Sequence, residues 1–293
     1  MVTEQDRIRD HWNEMSKVAI RRGRWWQSPT ILRHINQRVA GISSDEVHEG
    51  FNHLIEQAAN GRSFERALSV GSGIASKELR LAQRGIVKHF DCFDLSDERI
   101  EAGTKLWEEA GLASAVTFHC EDPFRTGLKK SYDLVYWNNA LHHMMDAFSA
   151  VEASLNALVL GGLFAMDDFV GASRFQWPDR QLDLATNFRG CLTERHRFSH
   201  PVKVERPTVE SVIAADPSEA PDSLNIIAAI KEFFPGATII PTGGVIYHLA
   251  LSDALEGIDE TEDSSLLNTA MMLDAALSDL GENLYAVAIA SKS

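Results

Sequence analysis

The stretch Ala67-Leu68-Ser69-Val70-Gly71-Ser72-Gly73-Ile74-Ala75 decides the fold, because a short β-prone run breaks into a glycine turn and a helical pattern follows to about Arg84. Missing side chains in such a turn let backbone approach a ligand, while the first amides of the helix face an anion. Working outward, the same grammar repeats. Ile86 to Phe93 reads as a second strand, with Ser96 as helix cap and Asp97 and Glu98 set against the helix dipole. Val116-Thr117-Phe118 is a third strand and Tyr132 to Trp137 a fourth. The next helix shows Phe148, Val151, Leu155 and Leu158 as its buried face, Gly161-Gly162 ends it, and Leu163 to Met166 is a fifth strand. Strands separated by helices need right-handed crossovers, hence a mainly parallel sheet covered on both faces.

Beyond Asp168 the pattern changes. Pro178, Pro201, Pro207 and Pro217 punctuate polar turns, as in an insertion packed over the sheet's edge. Alternation resumes with a helix at 223–234, a strand from Thr238 to Leu251, an acidic surface loop (Asp259, Glu260, Glu262, Asp263), a helix at 265–280 and a last strand from Leu284 to Ala290. The fold class is therefore α/β, a doubly wound, mainly parallel, seven-stranded Rossmann-like sheet. Its expected parts are an N-terminal helical cap at 1–60, broken near Ser28-Pro29, a ligand-binding core at 61–170, an inserted cap at 171–221 and a completion of the sheet at 222–293.

Composition bounds the function. The 293 residues, 44% of them apolar, suffice for one large or two small domains and exclude a disordered chain. The longest apolar run, Ala157 to Met166, falls far short of the ~20 residues that span a bilayer, and the first residues lack the pattern of a signal peptide. A cytoplasmic protein without membrane attachment is expected. A net charge of -14 repels nucleic acid and acidic membrane surfaces. Cys92, Cys120 and Cys191 lack close metal-ligand spacing and read as buried reduced thiols, so no metal is called for.

Ligands of open α/β sheets bind at the carboxyl ends of the strands. The first strand ends in Gly71-Ser72-Gly73. The second ends in Asp94-Leu95, where a carboxylate can accept from both ribose hydroxyls. The third ends in Asp122-Pro123-Phe124, where an acid and an apolar neighbour suit an adenine ring. The fourth ends in Asn138-Asn139-Ala140-Leu141-His142-His143 and the fifth in Asp167-Asp168.

This conjunction resembles the class I S-adenosylmethionine-dependent methyltransferases of bacterial small-molecule type, from Phe64 to Ser291. The resemblance implies S-adenosyl-L-methionine as cofactor, held by Gly71, Ser72 and Gly73 at its methionyl part, Asp94 and Leu95 at its ribose, Asp122 and Pro123 at its adenine, with Asn138 alongside. Tyr132 to His143 resembles the family's fourth motif and Leu160-Gly161-Gly162-Leu163 the turn before its fifth strand. Phe169 to Trp177, Glu205 to Thr208 and Asp216 to Ala220 resemble one bacterial subgroup. Two positions depart from the pattern: Ser69 stands where an acid is common, and Ala75 where a third glycine is. A nicotinamide dehydrogenase is disfavoured, since its fingerprint needs glycine at 76, where serine stands.

Methyl transfer to a hydroxyl needs orientation and a base. His142, His143 and Asp168 are the candidate catalytic groups, although the histidines can equally cap and pack. Trp26, Arg174 and Trp177 are candidates for substrate binding, with Trp25 beside Trp26 able to close the pocket, while His248 reads as a core histidine. The expected acceptor is a polar small molecule, with O-methylation of a sugar or another hydroxylated metabolite favoured and a homodimer left open. A non-catalytic S-adenosylmethionine- or S-adenosylhomocysteine-binding module and an enzyme that modifies the sulfonium cofactor itself are the alternatives.

Overall fold

A computed structural model describes residues 3–15, 23–126, 128, 131–197, 200–252 and 254–293. The expected N-terminal helical cap includes positions 1–2 and 16–22, which lie outside the described residues. Seven strands form one sheet: β1 Ala67–Val70, β2 Phe90–Asp94, β3 Val116–Cys120, β4 Tyr132–Asn138, β5 Leu158–Phe169, β6 Thr238–Gly244 and β7 Asn283–Ser291. Their spatial order is β3-β2-β1-β4-β5-β7-β6. Neighbours from β3 to β5 pair in parallel, and β7 runs antiparallel to both β5 and β6. The carboxyl ends of β1 to β6 consequently share one rim with the start of β7.

Helices cover both faces: α1 Glu4–Met15, α2 Pro29–Ala40, α3 Glu49–Ala59, α4 Ser76–Gln83, α5 Asp97–Glu109, α6 Pro123–Thr126, α7 Ala147–Ala157, α8 Asp179–Gly190, α9 Glu194–Arg197, α10 Val209–Ala215, α11 Ile226–Phe233 and α12 Ser264–Asp279. The alternation of strand side chains divides the core. Leu134, Tyr136, Leu163 and Ala165 pack with Phe51, Ile55, Leu79 and Trp107 on one face. Val135, Trp137, Phe164 and Met166 pack with Val151, Ile226 and Ile230 on the other. At the end of β5 this alternation sends Asp167 to the α3 face and Asp168 to the α7 face.

Local signals explain several boundaries. Ser28 accepts the amide of Ile31, Pro29 opens α2 where its missing N–H costs nothing, and Gly41 at φ 68° closes it. Ser96 caps α5 by accepting from Arg99. Arg66 grips the fully buried Asp91 of β2 with two bonds of 2.6 Å.

The structure corrects some expectations. Gly161 and Gly162 do not end a helix. They lie inside β5, which starts at Leu158 and pairs with β4 across a register shift between Tyr132 and Leu134. The buried face of α7 is Ala147, Ala150, Val151, Ser154 and Ala157, small residues that let it approach the sheet, whereas Phe148 is exposed and Leu158 belongs to the strand. The sixth strand stops at Gly244, and Val245–Ala250 winds into a helical turn instead, because the Asp274 carboxylate accepts the amides of Gly244 and Ile246. The acidic loop is not merely a solvated surface. Glu260 binds the side chains of Ser28 and Thr30 at the start of α2, and Asp263 binds Arg195 and His196. Cys92 is buried, but Cys120 and Cys191 are exposed.

Candidate active site

The turn after β1 carries three residues in the left-handed region, Gly71 (φ 64°), Gly73 (φ 58°) and Ala75 (φ 52°). Gly71 has a further constraint: a Cβ there would sit 3.0 Å from the Cβ of Ala140. Ala75 keeps the backbone form in which a third glycine is common, and its carbonyl accepts the Trp107 indole N–H. Ser69, in place of an acid, donates to the carboxylate of Glu78 on α4 at 2.6 Å. A carboxylate is thus restored to this spot from the helix, and burial pushes its pKa up. Its second oxygen, Oε2, is buried with no hydrogen-bond partner.

Gly73 and Asp94 converge. The Gly73 amide donates to Asp94 Oδ2 at 2.8 Å and the Ser96 amide to Oδ1 at 2.9 Å. Burial raises the Asp94 pKa, and those two amides with the nearby Arg99 oppose the rise. Asp122, Leu95 and Pro123 follow on the same rim. Asp122 accepts the Phe124 amide and the Gln5 side chain, and the Leu95 carbonyl accepts from Arg9. Both partners come from α1, which therefore roofs these strand ends. One turn further along that helix, Trp12 lies under the Arg99 guanidinium at 4.2 Å and edge-on to His143 at 5.2 Å. Asn138 uses its side chain on Tyr136 and Asn139, and its carbonyl accepts from the ammonium of Lys77, whose burial lowers its pKa.

Beyond Asn138 two histidine–aspartate pairs flank the end of β5. On the α7 face, Asp168 is fully buried and accepts the amides of Ala140, Leu141 and Phe169 together with Nδ1 of His142 at 2.5 Å. With these four bonds Asp168 clamps the turn after β4. Burial works to lower the pKa of His142, but Asp168 and Glu219 outweigh it and the net direction is upward. His143 turns Nδ1 to the Ser218 carbonyl at 3.0 Å, and burial with the neighbouring His142 holds its pKa well below the usual range.

On the α3 face, His48 meets Asp167 through Nδ1 at 2.7 Å. His48 sits in left-handed backbone (φ 61°) just ahead of α3, a conformation uncommon outside glycine but adopted by histidine more readily than by most residues. Both residues line a narrow cleft, with Trp25, Asn139, Thr242, Tyr247 and Tyr285 also in its walls. Nothing in the sequence singles out His48, since it is a lone histidine in a helical stretch and its partner lies 119 positions away.

The candidate substrate-binding residues behave differently from one another. Trp26 is exposed and stands edge-on to Trp25, which is the tryptophan that lines the cleft. Arg174 gives its guanidinium to the carbonyls of Pro217 and Glu219 and so holds the inserted segment together. Trp177 is buried, stacked on Phe175 and near His248, which pairs with the Tyr285 hydroxyl.

Residues 68–166 match the family model described as a methyltransferase domain. Among solved structures, geranyl diphosphate C-methyltransferase from Streptomyces coelicolor A3(2), in complex with Mg2+, geranyl-S-thiolodiphosphate and S-adenosyl-L-homocysteine, superposes with a TM-score of 0.58 at 11% identity, over 99% of this chain and 98% of that one. Phosphoethanolamine N-methyltransferase 2 from Haemonchus contortus, in complex with S-adenosyl-L-methionine, gives 0.53 at 14% identity, over 90% of this chain and 56% of that one. At such identities the likeness is one of fold. The sheet order and the matched segment together give this chain the fold of the class I methyltransferases. No described helix is long and apolar enough to cross a membrane.

Proposed function

We propose that the protein methylates a hydroxyl of a polar small molecule bound in the cleft beside Asn139. The observation that carries this reading is the His48–Asp167 pair in the cleft wall, at the rim where the cofactor-binding strand ends converge. Aromatic faces from Trp25, Tyr247 and Tyr285, interleaved with Asn139 and Thr242, suit a hydroxylated ring such as a sugar. A fixed cation is a poorer fit, because the Asp167 carboxylate already holds His48.

S-adenosylmethionine, when bound, supplies a methyl group on positively charged sulfur. The turn at Gly71-Ser72-Gly73 would take its methionyl part, with the unpartnered Oε2 of Glu78 available to a cationic amine, while Asp94 with Leu95 would take the ribose and Asp122 with Pro123 the adenine. Asn138 shapes the rim between that crevice and the cleft. His48 accepts the acceptor's proton at Nε2, the ring nitrogen that Asp167 leaves free, and Asp167 stabilises the imidazolium that results. Asp168, through the amides it clamps, holds the turn that carries His142 and His143. Trp177 and Arg174 act on the acceptor's surroundings by packing the cap, and Trp26 by supporting Trp25.

The test is turnover. Purified protein with labelled S-adenosylmethionine and a panel of sugars, phenols and amines should label a hydroxylated product. His48→Ala and Asp167→Asn should each lower kcat by about 100-fold or more and leave cofactor affinity within about twofold. Saturable cofactor binding with no transfer to any acceptor supports a non-catalytic binding module instead. Transfer to an amine that survives His48→Ala would overturn the assignment of the base.

A further inference from the structure

We propose that His142, His143 and Glu219 form a site for a divalent cation of the zinc class, which pins the inserted cap to the end of β4. Each side chain offers one ligand atom, and these atoms lie within 4.8 Å of one another. Donors around a four-coordinate ion with bonds of about 2.1 Å stand roughly 3.4 Å apart, so closure needs a shared movement of up to about 1.4 Å.

Orientation is the stronger argument. A metal-ligating histidine typically donates its other ring N–H to a carboxylate or carbonyl, which fixes its tautomer and aims the ligand nitrogen. Both histidines are already held in this way, His142 by Asp168 and His143 by the Ser218 carbonyl, each through Nδ1. The nitrogen left on each ring is Nε2, and that of His142 stands 3.5 Å from Glu219 Oε1. Asp168 cannot drift from its task, since three backbone amides grip it. Asp216, 3.9 Å from His143 Nδ1 and 3.6 Å from His11 Nε2, adds negative charge that offsets the neighbouring Lys77 and Arg99. Two imidazoles and one carboxylate favour Zn2+ and its first-row neighbours over Mg2+, which prefers oxygen donors. Protein donors number three, leaving a fourth position for water or a ligand.

The residues come from distant parts of the chain. His142 and His143 lie in the turn Leu141–His143 after β4, and Glu219 follows α10 in the inserted segment. A bound cation therefore joins cap to sheet, a role separate from methyl transfer in the neighbouring cleft.

The experiment is metal analysis and calorimetry on the full chain, with Zn2+ and Mg2+ titrated separately after chelator treatment. We expect one Zn2+ per chain, no saturable Mg2+ binding, and a rise in melting temperature on adding Zn2+. His143→Ala and the nearly isosteric Glu219→Gln should each weaken Zn2+ binding by about 100-fold and abolish the thermal shift, and Asp168→Asn should weaken it 10- to 100-fold. Retained S-adenosylhomocysteine binding by Glu219→Gln certifies that it has folded. Absence of stoichiometric Zn2+, or affinity unchanged in both ligand variants, overturns the proposal, as does binding lost only in His196→Ala, which would locate the ion elsewhere.

Discussion

Replacing Asp94 with alanine tests the cofactor crevice at its centre. A carboxylate has about four lone-pair positions, and the amides of Gly73 and Ser96 occupy two of them, at 2.8 and 2.9 Å. The remaining pair matches the two vicinal hydroxyls of a ribose. A hydrogen bond to a charged group contributes about 1.5 to 3 kcal/mol, and the two share one charge, so their joint loss should cost about 2 to 3 kcal/mol. That corresponds to roughly a 30- to 150-fold rise in Kd at 1.4 kcal/mol per tenfold. Calorimetry with S-adenosylhomocysteine measures it directly, and a melting curve checks that the turn survives with two amides unpaired. Asp94→Asn, which keeps shape and one acceptor, should fall between wild type and alanine. Because burial raises the Asp94 pKa, the carboxyl gains its proton at milder acidity than a free aspartate, and cofactor affinity should begin to fall correspondingly early as pH is lowered. An unchanged Kd in a folded Asp94→Ala protein would remove this residue from the ribose site and break the account of the crevice.

Other perturbations probe separate parts of the structure. Trp12→Ala, which removes the indole between Arg99 and His143, should speed cofactor association and release several-fold in stopped-flow fluorescence, and unaltered rates would mean that α1 does not gate the crevice. Asp91→Ala takes both bonds from the partly exposed Arg66 and should destabilise the fold by about 1.5 to 3 kcal/mol in urea titration. Asp274 has a folded-state pKa raised to about 6, so its contribution to stability is complete below the unfolded carboxylate value and disappears as pH rises through about 6. The stability difference between wild type and Asp274→Asn should therefore move by about 2 kcal/mol in the variant's favour from pH 4.5 to 7.5, and a flat difference would refute the shift.

The sheet was legible because glycine turns and apolar strand runs are local signals. Gly71 to Gly73 and Asp94 mark strand ends in a parallel fold, and such ends must gather on one rim whatever the details of packing. The amino-acid order also marked Ser28-Pro29 as a break in the N-terminal helical segment, and α2 begins there. What escaped depends on partners far away. Asp274 ends β6 from a helix 30 positions later, and His48 reaches Asp167 across 119. Ser69 looked like a deficit because Glu78 repairs it from the neighbouring helix, which no strand motif encodes. The three amides around Asp168 are equally invisible in its spacing.

Gln5, Arg9 and Asn13 recur at every fourth position of α1, so a single helical stripe touches Asp122, the Leu95 carbonyl and the start of α5. Such a seam opens one polar clasp at a time, and each clasp exchanges readily with water. A nucleoside lying in the crevice beneath α1 should leave faster when these clasps are cut, so repeated cycles should respond to changes in this short helix. Solvent viscosity, or bulk fused to that helix, should retune throughput while the chemical step stays the same.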